Sequence, residues 1–228
     1  VSYVWPHLPC EAGLEYVVPL VPDAEYPPEL FSPSWNVAPG SMQPVIFPDG
    51  PRLEHWGYRP EWAVARRVPM LVNARLDKAN SSAWKLMWNG SRVIVPADGW
   101  DEWVLEEGAK QSYFIQPIDG KPLFLAGLST IAPGGDGDGF VIVTDASDAG
   151  MLDIHDRRPL VLSAEEAKQW LDPETTFAEA NHLANSVSTP PEAFRWFRVS
   201  KGVNKAGNNE PAFNESIDET EPSPQEKP

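Results

Sequence analysis

The chain has 228 residues, 42% hydrophobic and 11% aromatic, which is enough for one sizeable core and too much for a disordered chain. A single cysteine excludes an internal disulfide scaffold, and no run of about 18 uninterrupted apolar residues is present to form a membrane helix. The formal charge of -15, from 33 acidic and 18 basic residues, argues against a surface built throughout to wrap polyanions. Glu11 and Glu15 occur early with no Lys or Arg beside them, the wrong pattern for a secretory leader, so a cytoplasmic protein is expected.

The charge is unevenly spread. Residues 1–51 hold six acids and no base, whereas residues 52–92 hold eight bases against three acids, a local excess of +5. Such a segment forms either one basic patch or scattered solvated charges, and a linear count leaves both open. Residues 210–228 hold six acids and one base with few large apolar groups, so they are read as an acidic disordered tail behind a single domain over 1–209.

Twenty-five prolines and sixteen glycines punctuate short apolar runs, the pattern of an irregular, strand-rich domain. In chain order, a helix over 83–89 is capped by Ser81 or Ser82 and stopped by Gly90. Strands follow over 91–96, 102–105, 112–117, 123–128, 139–144 and 160–162, all rich in β-branched and aromatic residues. Asp119-Gly120 tolerates the positive φ of a tight turn, which predicts an antiparallel hairpin between the runs on either side. Ser163 and Glu166 form a capping box for a helix to about 171, Thr176 opens a weaker helix to about 184, and a strand over 196–199 closes the series. Strands outnumber helices without alternating with them, so the fold class is α+β around a curved, mainly antiparallel sheet with a few peripheral helices.

No glycine-rich phosphate loop, paired CxxC, HExxH or GxSxG occurs. His7, His55, His155 and His182 are too scattered to build a zinc site with one cysteine, so neither a metal nor another cofactor is expected. Chemistry is sought instead where charged groups sit in apolar or turn-forming strings. In Pro96-Ala97-Asp98-Gly99-Trp100-Asp101-Glu102-Trp103, the neighbouring tryptophans give Glu102 surroundings that raise a carboxyl pKa and suit a proton donor; a strand-edge carboxylate facing water is the alternative. His155, among charges of both signs from Asp153 to Arg158, suits acid or base work, or equally a surface ion-pair network. Asn73 and Arg75 lie on the same side of an extended chain and suit a phosphate or sugar oxygen.

These strings, taken with Asn36-Val37-Ala38-Pro39-Gly40 and Trp56-Gly57-Tyr58-Arg59-Pro60-Glu61-Trp62, resemble in order and spacing the SRAP family, the SOS response-associated peptidases. The resemblance covers about residues 30–205 and implies a pseudo-barrel of bifurcated antiparallel strands. It also implies a monomeric DNA-repair protein that captures abasic sites in single-stranded DNA through an N-terminal cysteine exposed by autoproteolysis. By the same resemblance Glu102 assists ring opening, His155 is the second acid or base, Asn73 positions the sugar and Arg75 holds the flanking phosphate. Trp56, Trp62, Arg158 and Asn36 are then DNA contacts. The family begins Met-Cys-Gly-Arg, a string absent here, and Asp77 stands where the family pattern has Glu. Three readings of the cysteine stay open: an earlier start, cleavage after Pro9 that frees Cys10, or lost crosslinking. Two further functions compete with covalent capture: a thiol peptidase using Cys10 with His155, and a single-strand binding module without crosslinking.

Overall fold

The computed structural model describes residues 15–130, 138–146, 157–187 and 189–218. Its elements are β1 (Met42–Phe47), β2 (Gly50–His55), α1 (Glu61–Ala65), β3 (Asn73–Arg75), α2 (Lys85–Gly90), β4 (Arg92–Ala97), β5 (Trp100–Glu106), β6 (Ala109–Pro117), β7 (Leu123–Ser129), β8 (Phe140–Ala146), β9 (Arg157–Pro159), β10 (Val161–Leu162), α3 (Ala164–Leu171), α4 (Phe177–Ser186) and β11 (Phe194–Arg198). The fold is α+β. The larger sheet runs β2-β1-β4-β7-β8-β3, with β10 branching onto β7 and β9 onto β8. It curves without closing into a barrel, and all its pairs are antiparallel except β3 with β8. A second sheet, β11-β6-β5, lies beside it.

The chain passes between the sheets at two turns. From β4 to β5 it crosses through Asp98-Gly99, where a side chain on Gly99 would come within 2.3 Å of the Ile115 carbonyl and 2.5 Å of the Phe114 ring. From β6 to β7 it crosses at Asp119-Gly120, with Gly120 at φ 69°. The turn is where its residues place it, yet β6 and β7 do not form the expected hairpin, because each strand pairs within a different sheet. A primed-turn hairpin is found instead at β5–β6, whose central residues Glu107 and Gly108 take φ 49° and 81°, the left-handed pair such a turn requires.

Capping boxes open both long helices, Ser163 with Glu166 and Thr176 with Glu179. These helices and α2 cover one face of the larger sheet, where Trp88 meets Trp170 edge to face at 5.0 Å. Arg92 is buried at their C-terminal ends and donates to the carbonyls of Trp88, Trp170, Asp172 and Thr175 at 2.6–2.8 Å. One guanidinium thus satisfies three acceptors at two helix ends, Trp88, Trp170 and Asp172, and a fourth at Thr175 in the loop before α4.

Residues 211–218, placed by composition in a disordered tail, are held against the smaller sheet. Phe213 joins Phe114, Val199 and Val203, the Ile217 amide donates to the Arg198 carbonyl at 3.0 Å, and Asp218 pairs with the Arg198 guanidinium. One aromatic ring and a few backbone bonds outweigh the polar composition there. Among the described residues no helix is long and apolar enough to cross a membrane.

Candidate functional site

Asn36 and Trp56 build the floor of the region that collects the sequence motifs. Asn36 is 6% exposed, and its Nδ2 donates to the Lys205 carbonyl at 3.1 Å. The Gly40 amide donates to the Trp56 carbonyl at 2.8 Å, and the Trp56 indole donates to the Val72 carbonyl at 3.1 Å. Trp56 is wholly buried and stacks on Phe140 at 6.5 Å. It therefore has no ring face open to a nucleobase, which corrects its expected role as a DNA contact: it is a core residue that ties three motif segments together. Gly57 is required beside it, since at φ 141° a side chain would meet the Met70 sulfur at 2.3 Å.

From Tyr58 to Leu71 the chain leaves the sheet and returns, its root closed by two backbone bonds of 2.8 Å between those residues. Helix α1 stands on this excursion and buries only Ala63. Trp62 is 40% exposed, so the aromatic face that the sequence could assign to either tryptophan belongs to Trp62.

The returning chain forms β3 along β8, with Asn73 beside Ile142 and Arg75 beside Thr144. The Asn73 Oδ1 is buried without a hydrogen-bond partner among the described residues. Buried acceptors are nearly always bonded, so one left open at a sheet edge can accept from water or from a ligand. Arg75 is exposed and makes a bidentate pair with Asp77, Nε to Oδ1 at 2.9 Å and Nη2 to Oδ2 at 2.7 Å. Arg157 approaches the same carboxylate at 3.3 Å. The hydrogen bonds from Arg75 and the charges around it hold the Asp77 carboxyl down at about 2.

Strand β5 and the turn before it supply the acids. Strand alternation puts Glu102 on the same face as Trp100 and Val104, toward the cluster of Val37, Trp56, Val72, Phe140 and Ile142. Trp56 belongs to that cluster, Asn73 pairs with its Ile142, and Asn36 precedes its Val37, so the motif segments meet around it. Glu102 is 1% exposed, so the buried alternative holds and the solvent-facing edge does not. Burial pushes the Asp98 carboxyl up to about 6. Asp101 points the other way, toward Trp103 and Phe114; it is 0% exposed, neither oxygen has a hydrogen-bond partner among the described residues, and desolvation raises its pKa well above the ordinary value. Three acids within five residues of a tryptophan-rich turn were the only sequence signal for Asp98 and Asp101, and composition could not say which faced the core.

Arg158 is 9% exposed and its guanidinium donates to the Thr189 carbonyl at 2.7 Å, so it braces the chain beyond β10. Cys10 and His155 lie outside the described residues.

A branched, mainly antiparallel sheet carrying these motifs defines a class of protein. The pattern of the SOS response associated peptidase (SRAP) family matches residues 15–206, and the chain belongs to that family. It is similar to the abasic site processing protein YedK of Escherichia coli (strain K12), 41% identical over 196 residues that cover 82% of this chain and 85% of that one. It is also similar to the abasic site processing protein HMCES of Mus musculus, at 29% identity, covering 81% of this chain and 65% of that one. Among solved structures, a phage-related protein from Bordetella bronchiseptica superimposes with a TM-score of 0.72 at 33% identity, covering 87% of this chain and 94% of that one.

Proposed function

We propose that this chain captures abasic sites in single-stranded DNA as a covalent protein–DNA adduct. The observation that carries the reading is the Asn73 Oδ1, a buried acceptor without a partner among the described residues, at the edge of a cluster into which the nearly inaccessible Glu102 also points. A ring-opened abasic sugar offers a hydroxyl donor for the first and an aldehyde whose protonation the second assists. The family membership and the names of the relatives support the same substrate.

In the proposed reaction, water hydrolyses the Pro9–Cys10 bond and frees the Cys10 α-amine. The amine condenses with the aldehyde carbon to an imine and releases water. The thiol then adds to that carbon, its proton passing to the nitrogen, and a thiazolidine closes. Glu102 is the proton donor to the sugar oxygen in ring opening, and His155 is the second acid or base. Arg75 holds the flanking phosphate and Trp62 stacks on a base further along the bound strand, a sequence-tolerant contact.

The test is denaturing electrophoresis with intact mass spectrometry on protein mixed with single-stranded DNA bearing one abasic site. The expected adduct lacks residues 1–9 and disappears in Cys10→Ala. Glu102→Gln should slow its formation by roughly 100-fold to 10,000-fold. An adduct that forms at full rate in Glu102→Gln removes the acid role, and no adduct at all removes covalent capture.

A further inference from the structure

The excursion between Tyr58 and Leu71 carries more than Trp62. The chain has ten arginines. Seven are tied to acids or carbonyls of the fold, from Arg52 on Asp49 to Arg198 on Glu106 and Asp218. The three that make no such bond among the described residues, Arg59, Arg66 and Arg67, all lie on this one segment and are all exposed. They outnumber its only acid, Glu61, so the segment carries a charge of +2.

The placement adds to the count. Because α1 buries only Ala63, nearly its whole circumference faces solvent, including Val64 at 53% exposure. Arg67 holds φ 55°, in the left-handed region where glycine is the unstrained choice, so its side chain is kept against the preference of the backbone. The root is firm: besides the Tyr58–Leu71 bonds, the Tyr58 ring lies 6.0 Å from that of Trp84. Two residues past that root the chain enters β3, which carries Asn73 and Arg75.

Uncommitted guanidinium groups on a firmly rooted projection suit a chain of phosphates, which they bind bidentately and without regard to sequence. Resting on the DNA-binding reading above, we infer that this excursion is a second electrostatic contact. It grips the sugar-phosphate backbone of the bound strand several nucleotides away from the abasic one, so strand length sets affinity.

The test uses the triple variant Arg59→Gln, Arg66→Gln, Arg67→Gln, with its fold checked by circular dichroism. Fluorescence anisotropy follows undamaged single strands of about 5 and about 20 nucleotides across a salt series. On the long strand the slope of log K against log salt should drop by about 2, at about 0.7 per arginine, which is about 100-fold in affinity at about 0.1 M salt. On the short strand the variant should match the wild-type protein. An unchanged slope on the long strand, with wild-type binding intact, overturns the inference. An equal loss on both strands overturns it too, because the arginines would then act at the abasic nucleotide itself. If the wild-type protein binds neither strand, the DNA-binding reading fails and the second contact falls with it.

Discussion

Replacing Asp101 by Asn should make the protein more stable, and increasingly so as pH rises. The fold buries this carboxyl completely, beside Trp103 and Phe114, and neither oxygen has a hydrogen-bond partner among the described residues. Desolvation raises its pKa well above the ordinary value, so the folded chain retains a proton that the unfolded chain releases near about pH 4. Below that pH both states are protonated and the stability is fully present. Above it, each pH unit favours the unfolded state by about 1.4 kcal/mol until the folded carboxyl itself ionises. Asn has nearly the same shape and no proton to release, so the gap between variant and wild type should open at that slope. At neutral pH the gain should be about 1.4 kcal/mol for each pH unit by which the folded carboxyl titrates above the unfolded one, since Asn leaves its own amide unpartnered in the same place and gains only from having no proton to release. Urea denaturation followed by tryptophan fluorescence, from about pH 5 to about pH 8, measures the gap directly. Asp98, pushed up to about 6 by burial, titrates in both proteins and belongs to the shared background. Parallel stability curves for the two proteins would refute the reasoning, since they would mean Asp101 ionises in the fold as it does in water.

Arg92→Met should lower stability by about 3–5 kcal/mol in the same assay, because it removes the buried donor to four carbonyls, three at two helix ends and one in the loop before α4; a loss under about 1 kcal/mol would mean water replaces the guanidinium. The two motif tryptophans should part company. Trp62→Ala should leave the melting temperature near wild type while weakening single-strand binding by about 1–3 kcal/mol, whereas Trp56→Ala should cost about 3–5 kcal/mol of folding stability. The reverse pattern would reassign the stacking face. Asp77→Asn should strengthen strand binding several-fold at low salt by releasing the Arg75 guanidinium that Asp77 now occupies; equal affinity across the salt series would show that Arg75 does not meet phosphate.

Local chemistry in the sequence marked most of the elements. The capping boxes at Ser163 and Thr176, the β-branched runs that became β4 and β8, and the apolar run that became β7 need only neighbours in sequence to be recognised. Partner choice depends on distant residues, which is why the Asp119-Gly120 turn was legible while its strands were assigned to the wrong mates. The β1–β2 hairpin stayed hidden because Pro44 and Pro51 interrupt it; Pro44 is tolerated where β1 has left β4, whose pairing with it is at Ile46–Ile94. The site divides the same way. Asn73, Arg75 and Glu102 were singled out by residue type and spacing, but only burial separates the core Trp56 from the open Trp62 and the outward Arg75 from the braced Arg158.

The C-terminal strap has a practical side. Phe213 rests on Gly202, where a side chain would come within 2.4 Å of its ring, and the strap as far as Asp218 lies over the cluster of Phe114, Val199 and Val203. A truncation guided by composition at residue 209 would strip that cover and expose aromatic surface, inviting aggregation in the expression host. Purification handles, fluorophores and protease sites belong after Asp218, where attachment leaves the smaller sheet sealed.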